Sequence, residues 1–137
     1  MSNKTIQLNE KLYEYLLSIS LKEDEVLKSL RKTTAAMPGS RMQIAPDQGQ
    51  FMAMLIKIMG AERLIEIGTY TGYSTLVCAM AMEKGQIITL DCDPVSTVVA
   101  KDYWKIAGVD HLIDLRLGDA LVSLNQIIDD QDGLSSF

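Results

Sequence analysis

The segment Arg63-Leu-Ile-Glu-Ile-Gly-Thr-Tyr-Thr-Gly-Tyr-Ser74 says most about how this chain folds. It starts as a short apolar strand containing an acid, continues through a turn bounded by Gly68 and Gly72, and ends where a helix begins. A carboxylate in a buried strand is costly without a partner, so Glu66 is placed for a ligand. The two glycines lack the Cβ atoms that would keep backbone N–H groups away from that ligand. The segment therefore predicts a nucleotide cofactor site.

A second apolar strand, Gln86-Ile-Ile-Thr-Leu-Asp91, also ends in a carboxylate. Asp91 follows Gly68 at about the spacing, roughly 20 residues, at which the acid of a Rossmann-like unit meets the ribose hydroxyls. One carboxylate can accept two hydrogen bonds from a vicinal diol. Asp91 is therefore predicted to bind a ribose, and a cap for the turn that follows is the alternative interpretation.

Strands and helices alternate through the rest of the chain. The predicted order is strand 63–68, helix 73–82, strand 86–91, helix 95–107, strand 113–118 and a helix near 121–128. This alternation implies right-handed crossovers, and the continuous apolar strands imply helices on both faces of the sheet. The predicted fold class is α/β, a Rossmann-like parallel sheet. Ligands of such sheets bind at the carboxyl ends of the strands, where three turns converge on one crevice.

Three helices are predicted ahead of the first strand. Asn9 is the expected N-cap of the first, the second spans about Glu23 to Thr34, and the third follows Ala45-Pro-Asp47. The predicted buried face of the third helix contains Phe51, Met54, Leu55 and Ile58. We expect a single partial domain over 1–137, with an N-terminal helical segment, 1–46, and a cofactor-binding portion, 47–137.

The composition is that of a globular protein, with 137 residues of which 47% are hydrophobic and 23% charged. A net charge of -5 and scattered lysines and arginines argue against a nucleic-acid partner. No window approaches the roughly 18 apolar residues of a membrane span, and the N-terminus has no apolar signal core. Cys78 and Cys92 lack the spacing of a metal site or a disulfide framework, so a cytoplasmic location is expected.

Four sequence fragments occur in a specific order and spacing along the chain. They are Ile44-Ala-Pro-Asp-Gln-Gly-Gln-Phe51, Glu66-Ile-Gly-Thr-Tyr-Thr-Gly-Tyr-Ser74, Ile88-Thr-Leu-Asp91 and Leu117-Gly-Asp-Ala-Leu121. Together they closely resemble the caffeoyl-CoA and catechol type of class I S-adenosylmethionine-dependent O-methyltransferase, over nearly the whole chain. Tyr70 stands at the middle glycine of the dinucleotide-binding Gly-x-Gly-x-x-Gly, which argues against a pyrophosphate. The resemblance thus implies S-adenosylmethionine as the cofactor.

The resemblance also implies which residues hold that cofactor. Gly68 and Thr69 would contact it through the backbone, Glu66 and Ser74 would hold its methionine end, and Asp91 would hold the ribose. Two alternatives stay open at this point. Glu66 is also consistent with a buried ion pair, and Ser74 with a helix cap.

The remaining contacts implied by the resemblance come from two other turns. Ala120, with Asp119 beside it, would border the adenine, and the backbone near Ile44 would close the pocket from the N-terminal side. Gly-Asp-Ala is equally consistent with a plain turn in which Asp119 caps the next helix.

Members of the family hold two hydroxyls of a small-molecule acceptor with a divalent cation, such as Mg²⁺. Their metal ligands follow a fourth strand, in an Asp-Ala-Asp-Lys segment and a later Asp-Asn pair, and the present sequence ends at Phe137 before either. The cation is therefore expected only in a full-length member, and no catalytic or metal-binding residue is assigned here. The first strand would then be an unpaired edge. If these 137 residues are the entire polypeptide, it is expected to be inactive, to bind adenosylmethionine at best weakly, and to be marginally stable and associated, as a homodimer.

Three functional hypotheses follow. The first is the cofactor-binding portion of an O-methyltransferase acting on a small hydroxylated acceptor. The second is a non-catalytic adenosylmethionine-binding or dimerising module. The third is a fragment of an NAD-dependent dehydrogenase, which shares the strand, the glycine turn and the distal acid.

Overall fold

The computed structural model describes residues 6–129 of the chain. Its N-terminal part contains α1 (Glu10–Ser20), α2 (Glu25–Ala35), a 3₁₀ turn (Ser40–Met42) and α3 (Pro46–Met59). Asn9 caps α1 as predicted, because its side chain accepts a hydrogen bond from the Leu12 N–H at 3.0 Å. The second helix begins later than predicted, since Asp24 provides its cap and leaves Glu23 outside it.

The rest of the described chain is a three-stranded parallel sheet with crossover helices. Its elements are β1 (Arg63–Ile67), α4 (Tyr73–Ala81), β2 (Gln86–Asp91), α5 (Ser96–Ile106), β3 (Ile113–Leu117) and α6 (Ala120–Asp129). The strand order is β1-β2-β3, with Ile65 opposite Ile88 and Leu90 opposite Arg116. This arrangement confirms the predicted α/β fold class.

Both faces of β2 are buried, which explains its continuous apolar sequence. Ile87 packs with residues of α3 and α4 on one face, and Ile88 and Leu90 pack with Ile127 of α6 on the other. Burying each such aliphatic side chain contributes about 1.5–3 kcal/mol. The crossover helices thereby fix the carboxyl ends of β1 and β2 relative to each other.

The predicted buried face of α3 is wrong for the described part of the chain. Phe51, Met54, Leu55 and Ile58 are exposed, with Ile58 at 73%. The helix carries a second small and apolar stripe, Gly49, Met52, Ala53 and Ile56, and this stripe packs against the core. A Cβ at Gly49 would lie 3.1 Å from the Tyr73 ring, so the glycine permits the close approach of α3 to α4.

Within the described residues, β1 is an edge strand with β2 as its neighbour. Two of its apolar side chains, Ile65 and Ile67, are 36% and 64% exposed. An apolar strand edge of this kind favours pairing with another strand. Within residues 6–129, no helix combines the length and the apolarity that crossing a bilayer requires.

Candidate functional site

The turn after β1 has an unusual backbone conformation. Gly68 and Gly72 have φ values of +92° and +75°, and Tyr70 has a φ of +50°. A left-handed conformation at a non-glycine residue costs on the order of 1–3 kcal/mol and persists only when its surroundings hold it. The contacts that hold this turn therefore define the site.

Asp91, at the carboxyl end of β2, holds the turn directly. Its Oδ2 accepts hydrogen bonds from the backbone N–H groups of Thr69 and Tyr70, both at 2.7 Å. Its Oδ1 accepts one from the Asp93 N–H at 2.8 Å and retains capacity for a further donor. The contact with the Asp93 N–H is the turn-capping contact of the alternative interpretation, so Asp91 caps the following turn as well as holding the one after β1. Asp93 accepts in turn from the Val95 N–H, just ahead of α5, at 2.8 Å.

Glu66 of β1 is held by hydroxyl groups. Ser74 and Thr75, in the first turn of α4, both donate to its carboxylate, and Thr89 of β2 donates at 2.8 Å. The Thr69 hydroxyl extends this chain, 2.6 Å from that of Thr89. These contacts are hydroxyl contacts rather than the ion pair of the alternative interpretation. Ser74 likewise does not cap α4, because the N-cap is Gly72.

Cys78, one turn further along α4, is not a nucleophile of this site. Its side chain is buried, and burial raises the pKa of its thiol to about 12, with the Glu66 charge adding to the shift. A thiol with so high a pKa stays protonated near neutral pH and is unreactive.

A cavity of about 610 Å³ lies over the turn. Its lining residues are Met42, Gln43, Ile44, Gln48, Met52, Glu66, Ile67, Gly68, Thr69, Tyr70, Thr71, Tyr73, Ser74, Asp91, Cys92, Asp93 and Ser96. Six of the eight predicted site residues are among them. Three of the lining side chains are carboxylates, and among the described residues that line it there is no lysine, arginine or histidine. The cavity is therefore anionic.

The N-terminal segment closes this cavity on one side. The Tyr70 hydroxyl donates to the Pro38 carbonyl at 2.8 Å, which connects the turn to the approach to Ile44. Gln43 also lines the cavity, and its buried Oε1 has no hydrogen-bond partner within residues 6–129. Sequence reasoning missed both side chains as parts of the site. The bulk of Tyr70 at a glycine position was an available signal, whereas nothing in the sequence singled out Gln43.

The structure places the last two predicted residues elsewhere. Asp119 and Ala120 are not among the residues that line the cavity. The Asp119 side chain accepts from the N–H groups of Leu121 and Val122, at 2.8 and 3.2 Å, at the start of α6. This is the turn-and-cap arrangement, and an adenine contact for these residues stays a prediction.

A buried polar cluster lies on the other side of α4. The Glu23 side chain is 1% exposed, and it accepts two hydrogen bonds from Arg31 at 2.7 Å and one from the Tyr73 hydroxyl at 2.5 Å. Burial alone would raise the pKa of Glu23, but the hydrogen bonds from Arg31 and Tyr73 outweigh it and lower the pKa. A second, more apolar cavity of about 420 Å³ adjoins this cluster, and Tyr73 borders both cavities.

Comparison with known proteins identifies one family. The sequence profile of the family described as O-methyltransferase matches residues 17–137. A caffeoyl-CoA O-methyltransferase of Medicago sativa is 39% identical over 100% of this chain and 57% of its own length, and one of Zea mays, caffeoyl-CoA O-methyltransferase 2, is 39% identical over 53% of its length. The chain thus spans about half the length of the curated relatives it matches.

Two solved structures share the fold. The O-methyltransferase of Bacillus cereus in complex with SAH superposes with a TM-score of 0.77 at 30% identity, covering 85% of this chain and 54% of the other. TomG of Streptomyces achromogenes, in complex with SAM, gives 0.76 at 28% identity, covering 85% and 53%. Because the family profile covers most of its length, the chain belongs to the O-methyltransferase family.

Proposed function

We propose that residues 6–129 form the S-adenosylmethionine-binding portion of an O-methyltransferase that acts on a small hydroxylated acceptor. The observation that carries this proposal is the charge of the cavity, with three carboxylates and no cationic side chain among its described lining residues. Adenosylmethionine has a sulfonium and an ammonium group and no phosphate. A dinucleotide would instead bring a pyrophosphate into contact with these carboxylates, and like charges repel.

The side chains of the cavity fit this ligand. Asp91 keeps acceptor capacity at Oδ1 for a ribose hydroxyl, while its Oδ2 holds the turn. A Cβ at Gly68 would have no heavy atom within 4 Å, so the backbone there is open to a ligand. The unpaired Gln43 Oε1 offers a hydrogen-bond acceptor to a bound ammonium or amino group.

Each of these residues binds or orients the cofactor. The hydroxyls of Ser74, Thr75 and Thr89 fix the Glu66 carboxylate, so its charge faces the cavity in one orientation. When bound, adenosylmethionine would supply a methyl group activated by its sulfonium, and S-adenosylhomocysteine would be the leaving group. The fixed turn contributes by orienting the cofactor, and orientation can supply a large part of a rate enhancement.

The divalent cation implied by the resemblance finds no ligand set here. Within residues 6–129 there is no group of three or more His, Cys, Asp or Glu side chains arranged to hold a metal ion. The acceptor class rests on the names of the relatives, which are caffeoyl-CoA O-methyltransferases.

We also propose a homodimer in a reducing cytoplasm. Exposed apolar side chains on two elements support association. They are Ile65 and Ile67 of β1, and Phe51, Met54, Leu55 and Ile58 of α3. Cys78 and Cys92 are free thiols, as is usual in a reducing compartment. Sedimentation of the protein as a monomer would contradict the dimer.

The Asp91→Asn variant tests the proposed function. It removes the charge and half of the acceptor capacity at the ribose position while keeping the side-chain shape. We expect the affinity for S-adenosylhomocysteine, measured by calorimetry, to fall about ten- to a hundredfold, because a charge-assisted hydrogen bond is worth roughly 1.5–3 kcal/mol.

Asp102→Asn is the matched control. Asp102 is exposed on α5 and does not line the cavity, so we expect the affinity of this variant to stay within about twofold of wild type. Equal losses in the two variants, or an unchanged affinity in Asp91→Asn, would contradict the proposed ribose contact.

A further inference from the structure

The turn that contacts the proposed cofactor and the first residue of α4 are held to the N-terminal segment by three side chains. The Tyr70 hydroxyl donates to the Pro38 carbonyl, and the Tyr73 hydroxyl donates to Glu23. Between them, the Thr71 hydroxyl lies 2.8 Å from the hydroxyl of Thr34 in α2. The conformation of the turn is therefore set partly by residues that precede it by 32 to 50 positions.

Of these contacts, the one between Thr34 and Thr71 is the most completely buried. Both residues are 0% exposed. Water cannot replace either hydroxyl without entering the core, so each hydroxyl depends on the other for a partner. Tyr70 is part-exposed, and the contact it makes to Pro38 is accessible to solvent.

The two residues differ in their relation to the cavity. Thr71 lines it, and Thr34 does not. Thr34 lies in the last turn of α2, and its side chain reaches the turn from the core side. An effect of Thr34 on ligand binding must therefore act through Thr71.

We propose that Thr34 is a positioning residue for the cofactor turn, acting through its hydroxyl on Thr71. The proposal rests on the proposed function, since it concerns the affinity of the same site. Without the Thr34 hydroxyl, the Thr71 hydroxyl loses its partner in the native turn, and conformations that give it another partner become more populated. The apparent dissociation constant rises as the competent fraction falls.

The test compares S-adenosylhomocysteine affinities by calorimetry in the full 137-residue chain. Thr34→Val keeps the shape and removes the hydroxyl, and we expect affinity to fall about tenfold. Thr34→Ser keeps the hydroxyl and should stay within about threefold of wild type. Thr33→Val is the matched control, because the Thr33 hydroxyl is 2.7 Å from that of Tyr103 and does not contact the turn. Its affinity should not change.

A purely structural role predicts a different result. In that case Thr34→Val would lower the melting temperature but leave the affinity, measured well below that temperature, equal to wild type, and this would overturn the proposal. If Thr34→Val does not fold, Thr34→Cys replaces it, since a thiol is a weak donor. Equal affinities of the Cys and Ser variants would then overturn the proposal. Absence of binding by the wild-type chain would overturn the proposed function itself.

Discussion

Gly72→Ala is expected to abolish cofactor binding and to destabilise the fold by about 2–5 kcal/mol, because two costs coincide. An alanine Cβ would lie 2.6 Å from the Ala100 Cβ and 2.8 Å from the Trp104 Nε1. Trp104 cannot move away easily, since it is 2% exposed and its indole N–H donates to the Gly72 carbonyl at 3.3 Å. The φ of +75° adds the cost of a left-handed conformation.

The Gly108→Ala variant measures the cost of the left-handed conformation without the steric clash. Gly108 has a φ of +71°, and a Cβ there would meet no heavy atom within 4 Å. Only the conformational cost remains, so we expect a loss of about 1 kcal/mol in the free energy of unfolding, measured by urea denaturation. Equal losses in the two variants would show that the Trp104 packing against the turn is not as tight as the structure indicates.

Arg31→Met is expected to lower the free energy of unfolding by about 3 kcal/mol near pH 7, because it leaves Glu23 charged and buried. The matched control is Lys28→Met. Its partner Glu25 is 2.6 Å away, but the two side chains are 49% and 87% exposed, so we expect a much smaller loss of stability than in Arg31→Met. Similar losses in both variants would contradict the buried role of Glu23.

The stabilisation contributed by the Glu23–Arg31 pair is expected to decrease at low pH. The folded pKa of Glu23 lies below its usual range, so its stabilising contribution is present above the unfolded pKa and is lost as pH falls through the folded pKa. In Arg31→Met, Glu23 has lost its cationic partner. Protonation of Glu23 at low pH then removes a buried, uncompensated charge, which stabilises the folded variant. The stability difference between wild type and variant should therefore narrow from about pH 7 to about pH 4. A constant difference would contradict this account.

The elements that the sequence predicted well are those determined by local pattern. The strand, glycine turn and helix start around Glu66 lie within one continuous segment, and so does the apolar strand before Asp91. The α3 face was not determined in this way, because two apolar stripes run along the same helix. The tertiary packing of α3 on α4, in which Gly49 lies against Tyr73 and Ile56 enters the core, selects between them.

The long-range contacts of the site could not be predicted from the sequence either. Tyr73 and Glu23 are 50 positions apart, and nothing local in either segment predicts their contact. Asp91 and Asp93 are two positions apart, and only the structure shows that the first holds the turn while the second accepts from the Val95 N–H just ahead of α5. Similarly, the sequence left Asp119 between a cap and a ligand contact, and its hydrogen bonds show the cap.

The central claim is that the anionic cavity over the Gly68–Gly72 turn takes adenosylmethionine and not a dinucleotide. Calorimetric titration of the wild-type chain with S-adenosylhomocysteine and, separately, with NAD tests it most directly. We predict saturable binding of S-adenosylhomocysteine and no measurable heat of binding with NAD at the same concentrations. Binding of NAD as tight as, or tighter than, that of S-adenosylhomocysteine would contradict the claim.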